Sequence, residues 1–258
     1  MTTDIELYQP IEAIVADYER QKDIIDAAGV AVGRMNDETS VHIGFTCGGG
    51  HNGIDPQTRL KQATWQTIME KSNCKRFMST KAQETVTRQL YDTPDTLPEI
   101  TIEGLNSWLA GLVQSSPDMI QEACREVFEI LTPQKGWSDS YKTNEKCREI
   151  PASGKVIIKW VCDQAKWVTS PRLLHRGQDR IRALDRVFAM LDGKATPDYP
   201  EDSVTKCKAA SEAGESKAET PYFVFKMHRN GNLHVTLKRA DLVKRLTEYA
   251  AGANLAAA

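Results

Sequence analysis

Apolar residues recur at helical spacing from the start of the chain. Ile11, Ile14, Val15, Tyr18, Ile25 and Ala28 share one side of a helix, with polar residues between them. The stretch FTCGGGHNGIDP then interrupts the period, because four glycines in so short a span favour no regular element. Asp55-Pro56 predicts a new helix start, an acceptor side chain followed by a proline suited to the first turn, ahead of Trp65, Ile68 and Met69. Ser116-Pro117 has the same form and predicts a helix with Ile120, Ala123, Cys124, Val127 and Phe128 along one stripe. The first half reads as helical.

After Leu131 the pattern changes. TPQKGWSDSYKTNEKCREIPASG is polar, basic and turn-rich, and it leads into KVIIKWVC, Lys155 to Cys162, whose β-branched residues predict the first strand. GQDRIRALDRVFAMLDG returns to the helical period with Ile181, Leu184, Val187, Phe188 and Leu191, and Gly193 is placed to end it. Residues 194–220 are rich in Ala, Ser, Glu and Lys without an aliphatic period, which predicts a mobile connection.

YFVFKMHRNGNLHVTLKR reads as a β-hairpin, since Asn230-Gly231 suits a two-residue turn with both residues at positive φ. Such a turn pairs Arg229 with Asn232, His228 with Leu233 and Met227 with His234. Alternation then puts Leu233, Val235 and Leu237 on one face. The other face receives Asn232, His234, Thr236 and Lys238, together with Phe223, Phe225, Met227 and Arg229. A face mixing aromatic and polar groups suits base stacking with phosphate contacts, and it suits equally a covering helix with His234 hydrogen-bonded inside. His228 and His234 fall on opposite faces in this register, so they form no common metal or acid/base pair.

The expected fold is therefore α+β: a mainly helical region over residues 1–130, and an α+β region over 131–251 packed with it as one unit. A small antiparallel β element in the second region contains the Asn-Gly hairpin. A chain of 258 residues with 40% hydrophobic content is enough for such a core. No stretch approaches the roughly 20 apolar residues of a membrane span. The start, MTTDIELYQP, is acidic where a signal peptide is basic, and a cytoplasmic location is expected. Six scattered cysteines without a CxxC pair predict reduced thiols.

The net charge of -2 conceals segregation. Residues 1–60 hold 4 Lys/Arg against 10 Asp/Glu, residues 131–182 hold 11 against 5, and residues 222–246 hold 6 against 1. Two basic blocks on an otherwise acidic chain fit a basic face for a polyanion; folding of acidic onto basic regions is the competing reading.

Catalytic signatures are sparse. Cys47 and His51 in CGGGH lack the further ligands that zinc requires, and no metal or cofactor is expected. The glycine run matches neither phosphate-loop nor dinucleotide spacing. No GxSxG, HExxH or kinase set occurs. SDSYKTNEK is more informative: Tyr141, Lys142, Asn144 and Lys146 combine a ring, an amide and two cations suited to phosphate and base edges. Arg172, His175, Arg176, Arg180 and Arg182 extend the basic set, with Asp179 and Asp185 available as helix partners.

With these segments assembled, the chain resembles the DUF4942 family of bacteria, phages and plasmids, whose members are sometimes joined to adenine-specific DNA methyltransferases. The likeness covers about Thr64 to Ala251. It rests on TWQTIMEKS, on FEILTPQKGWSDSYKTNEKCREIPASGKVII, on RALDRVFAMLDG and most distinctively on NGNLHVTLKRADLVKRL. The resemblance implies a DNA-linked setting on mobile elements. No DPPY-like or NPPF-like tetrapeptide is present, so methyl transfer is not implied.

DNA association is the expected role. Lys142, Lys146, Arg229, Lys238 and Arg239 would neutralise phosphates, while Asn144, Asn232 and His234 make directional contacts. Two rivals differ in class. One is a nuclease or base-processing enzyme with His234 as general acid/base and Asn144 or Asn232 orienting substrate. The other is an anti-defence protein that binds a host or phage protein partner through its acidic first half.

Overall fold

The structure is a computed structural model and describes residues 10–38, 54–132, 150, 154–163 and 171–251. The chain divides into two compact units. Among the described residues, one is formed by those up to Lys75 with Lys81–Ser116, the other by Arg76–Thr80 with those from Pro117 onward. The division falls between Ser116 and Pro117.

The first unit holds α1 (Ile11–Glu38), α2 (Pro56–Lys71), most of α3 (Thr80–Asp92) and the first half of α4 (Ile102–Leu131). Asp55 caps α2 as the sequence predicts, its carboxylate accepting from the Thr58 amide at 2.9 Å. Trp65 of α2 is fully buried, stands edge-on to Trp108 at 5.0 Å, and donates its indole N–H to the Pro98 carbonyl at 3.0 Å.

Ser116-Pro117 does not start a helix. Pro117 lies inside α4, which begins at Ile102. A proline there removes the donor that would reach the Val113 carbonyl. The Ser116 hydroxyl replaces it, donating to that carbonyl at 2.8 Å, and Ser115 donates to the Gly111 carbonyl at 2.7 Å. The serine that resembles a cap in sequence instead repairs the helix.

The second unit is built on a four-stranded antiparallel sheet of β1 (Lys155–Ile158), β2 (Lys217–Glu219), β3 (Phe223–Met227) and β4 (Leu233–Leu237), in the order β1-β4-β3-β2. Helices α5 (His175–Leu191), α6 (Ser203–Glu212) and α7 (Ala240–Ala250) complete it. The α+β class holds. Gly193 ends α5 as expected, at φ 71°.

Residues 194–220 are not a structureless connection, since they contain α6 and β2. Only Ser203, Val204, Cys207 and Ser211 are buried along α6, and two of these are serines, too weak a stripe to show as an aliphatic period. Its start is secured by polar contacts. Asp202 accepts from the Thr205 amide at 2.9 Å, and Asp185 of α5 accepts from the Ser203 amide at 2.8 Å and the Ser203 hydroxyl at 2.5 Å. Asp185 is 3% exposed, and burial pushes its carboxyl up from the ordinary 3.8 to about 6.

The hairpin exists in a register one residue away from the expected one: Met227 pairs with Leu233, Lys226 with His234 and Phe225 with Val235. Gly231 is at φ 88°, whereas Asn230 is not among the residues at positive φ, so the two-residue turn is excluded. The His228 amide donates to the Asn232 carbonyl at 2.9 Å and the Gly231 amide to the His228 carbonyl at 3.0 Å. Arg229, Asn230 and Gly231 thus form a three-residue loop ending in a left-handed glycine.

The reason for the shift is packing. In the observed register Phe223, Phe225 and Met227 join Leu233, Val235 and Leu237 on one buried face. Phe188 of α5 meets Phe223 edge-on there, with ring centroids 4.7 Å apart. Each large apolar side chain buried contributes about 1.5–3 kcal/mol, so three more of them outweigh a local turn preference.

Gly231→Val is expected to destabilise the protein by about 1–3 kcal/mol, because a β-branched residue resists positive φ. Asn230→Ala loses the 3.2 Å bond from the Asn232 amide to the Asn230 side chain and is expected to cost about 1 kcal/mol or less. Urea denaturation of both variants checks this. Equal, large losses would restore the two-residue turn.

Candidate nucleic-acid interface

Alternation leaves the other side of the sheet polar. Lys155 on β1, Lys217 and Glu219 on β2 and Lys226 on β3 are exposed, while Ile157, Val224, His234 and Thr236 are half-buried. The register places Lys217 directly opposite Lys226, and Lys226 directly opposite His234. Like charges directly opposite in an antiparallel pair are destabilising, so this row is a local liability unless an anion lies on it. Glu219, the one acid among the described strand residues on this side, is already paired with Lys238 at 3.0 Å.

The same shift reverses the relation of the two histidines. His228 and His234 share the polar side, their ring centroids 4.0 Å apart and their planes 40° apart. The expectation of opposite faces is therefore corrected. Nε2 of His228 is buried without a hydrogen-bond partner in the structure. Burial, then His228, then Lys226 hold the His234 imidazole below its ordinary value, which favours the neutral ring. A neutral ring beside Lys226 keeps an acceptor nitrogen available.

The other expected contacts divide three ways. Tyr141, Lys142, Asn144 and Lys146 lie outside the described residues. Arg229 is exposed in the hairpin loop, and Asn232 is half-buried at its end. Lys238 and Arg239 are engaged internally. The Lys238 ammonium reaches Glu219 at 3.0 Å and donates to the Thr220 carbonyl at 3.0 Å. The Arg239 guanidinium reaches Asp192 at 3.0 Å and Asp241 at 2.6 Å. Tyr222 and Lys194 also meet Asp192, at 3.1 and 2.6 Å, so Arg239 belongs to a network tying the start of α7 to the end of α5. In the basic helix, Asp179 takes His175 at 3.1 Å and Arg182 at 3.0 Å.

Three exposed residues near this side lack a local signal in the sequence. Lys217 falls in the expected mobile connection, and the two-residue-turn register puts Lys226 on the side of Leu233, Val235 and Leu237. Trp160 falls within the expected strand Lys155 to Cys162, but β1 ends at Ile158, and Trp160 is 59% exposed and at φ 62°. Among the described residues, burial pushes cysteine thiols up, Cys162 to about 11 and Cys124 and Cys207 to about 12, which disfavours the thiolate there. Among the described residues no group of three or more His, Cys, Asp or Glu could hold a metal ion, and no helix is long and apolar enough to cross a membrane.

The fold and this polar sheet side define a small α+β protein with a helical region and a four-stranded antiparallel sheet. The chain belongs to the DUF4942 family, a domain of unknown function whose sequence model matches residues 57–253. That span includes the whole sheet and excludes α1. No curated protein and no solved structure matches.

Proposed function

We propose that the protein associates with DNA, in a cytoplasmic setting, through the solvent side of the sheet. The observation that carries this reading is the Lys217–Lys226–His234 row, where like charges stand directly opposite and two lysines are exposed. A phosphate over the row relieves that repulsion, while Asn232 and the neutral His234 supply directional groups. Lys238 and Arg239, being ion-paired within the protein, position the strands and α7, and the phosphate contacts pass to Lys217 and Lys226.

Fluorescence anisotropy on labelled DNA across a salt series tests this. Affinity is expected to fall steeply with salt, and Lys217→Ala with Lys226→Ala is expected to reduce the slope by about 1–2. The same double variant is expected to melt no lower than the wild type, since it removes a repulsive pair. Affinity insensitive to salt, or unchanged in the double variant, would count against the row as a DNA contact.

A further inference from the structure

The geometry points to Trp160 as a stacking platform for an unpaired base, which makes single-stranded rather than duplex DNA the preferred ligand. This rests on the DNA-binding reading above. Had β1 continued in regular alternation, residue 160 would lie on the side of Val156 and Ile158, both buried. The chain instead bends at Trp160, whose φ of 62° is a conformation that a bulky side chain rarely adopts, and the residue is 59% exposed.

The surroundings enforce the bend. The amides of Val161 and Cys162 both donate to the Gly231 carbonyl, at 2.9 and 3.0 Å, and the Val161 carbonyl accepts from the Leu174 amide at 2.9 Å. Arg176 donates its Nε–H to the Trp160 carbonyl at 2.6 Å. Gly177 of α5 lies so close to Val161 that a Cβ there would meet the Val161 carbonyl oxygen at 2.5 Å. These contacts require a turn, but none requires tryptophan. Glycine would satisfy them without backbone strain. A large, solvent-facing ring held at a strained position over-determined by its neighbours is the pattern of a residue kept for contact.

Its place relative to the charges specifies the ligand. The hydrogen bonds to Gly231 put Trp160 beside the hairpin loop that carries Arg229. His234 and the lysine row lie three residues along β4 from Gly231, roughly 10 Å at the rise of a strand. Exposed Arg176, held to the Trp160 carbonyl, adds a further cation next to this turn of the chain. Cations along a backbone track with an aromatic ring at its end match the combination that binds single strands, whose bases are free to stack. In a duplex the base faces are already occupied by their neighbours, so the ring has nothing to stack on.

The test is fluorescence anisotropy of the full chain with labelled oligodeoxythymidylate and with a labelled duplex of equal length. Wild type is expected to bind the single strand more tightly. Trp160→Gly, compatible with positive φ, is expected to weaken single-strand binding by about 5- to 150-fold. Duplex affinity and melting temperature should not fall. Trp160→Asn, which also tolerates positive φ, is expected to repeat the loss, and Trp160→Phe to restore most of the affinity. Preference for the duplex, or a Trp160→Gly variant with unchanged or equal losses on both DNAs, overturns the stacking role. If the lysine double variant still weakens binding in that case, the DNA-binding reading survives alone; if wild type binds neither DNA, both fall.

Discussion

Phe223→Ala is expected to destabilise the protein by about 3–5 kcal/mol, the range for removing a large aromatic side chain from a packed core. Phe223 is fully buried, 4.7 Å from the Phe188 ring and 5.4 Å from that of Phe225. A domain is stable by only about 5–15 kcal/mol, so the variant is expected to sit near the edge of folding at 37 °C. Lys226→Ala, three residues along the same strand on the opposite side, is expected to change stability by no more than about 0.5 kcal/mol. Urea denaturation of the two variants therefore reads the register directly. In the two-residue-turn register the aromatic side chains share the polar face, and a small loss for Phe223→Ala would return them to it.

Asp185→Ala is expected to cost about 2–5 kcal/mol, since the Ser203 amide and hydroxyl both lose their acceptor and a buried donor left without one costs about 1–3 kcal/mol. Asp185→Asn is expected to be at least as stable as wild type at pH 7. Its carbonyl accepts from the Ser203 amide, its amide group donates to the Ser203 oxygen, and no charge is buried.

The pH dependence has a defined sign. The folded value of Asp185, about 6, lies above the ordinary 3.8, so the folded protein holds this proton more tightly than the unfolded chain. The stability it contributes is fully present below 3.8 and is lost as pH rises through about 6, a change of roughly 3 kcal/mol. His234 runs in the opposite sense, because its value is depressed. The informative quantity is the stability difference between wild type and Asp185→Asn from pH 4 to 7. The gap is expected to move in the variant's favour as pH rises; a flat difference would show that the carboxyl is not held in a desolvated site.

Much of the fold was legible in local signals. The Asp55 cap, the Gly193 terminator, the apolar stripes and the β-branched run at Lys155 each depend on neighbours within a turn or a strand, and residues that near in sequence carry their own evidence. The misplaced elements had local signals that pointed elsewhere. Ser116-Pro117 has the composition of a helix start, yet apolar stripes on both sides hold one helix through it, and the serine hydroxyl makes that affordable. Helix α6 has little apolar stripe of its own; Asp185, eighteen residues earlier in the chain, fixes its first turn.

The candidate site was the least legible part because it depends on a single residue of register. Asn230-Gly231 announces a hairpin to any reader of the chain, but a two-residue and a three-residue loop differ little in local energy and oppositely in which side chains face α5. Composition and periodicity were enough for the class, three of the four strands and the existence of the turn. The choice between registers belonged to Phe188 and the buried face it shares with Phe223, contacts made between residues far apart in sequence. Once that packing is made, the rest of the surface follows from strand alternation: His228 meets His234 at a tilt, and Lys226 stands between Lys217 and the histidine. Trp160 leaves the core for solvent because hydrogen bonds from its neighbours to the hairpin loop bend the chain there.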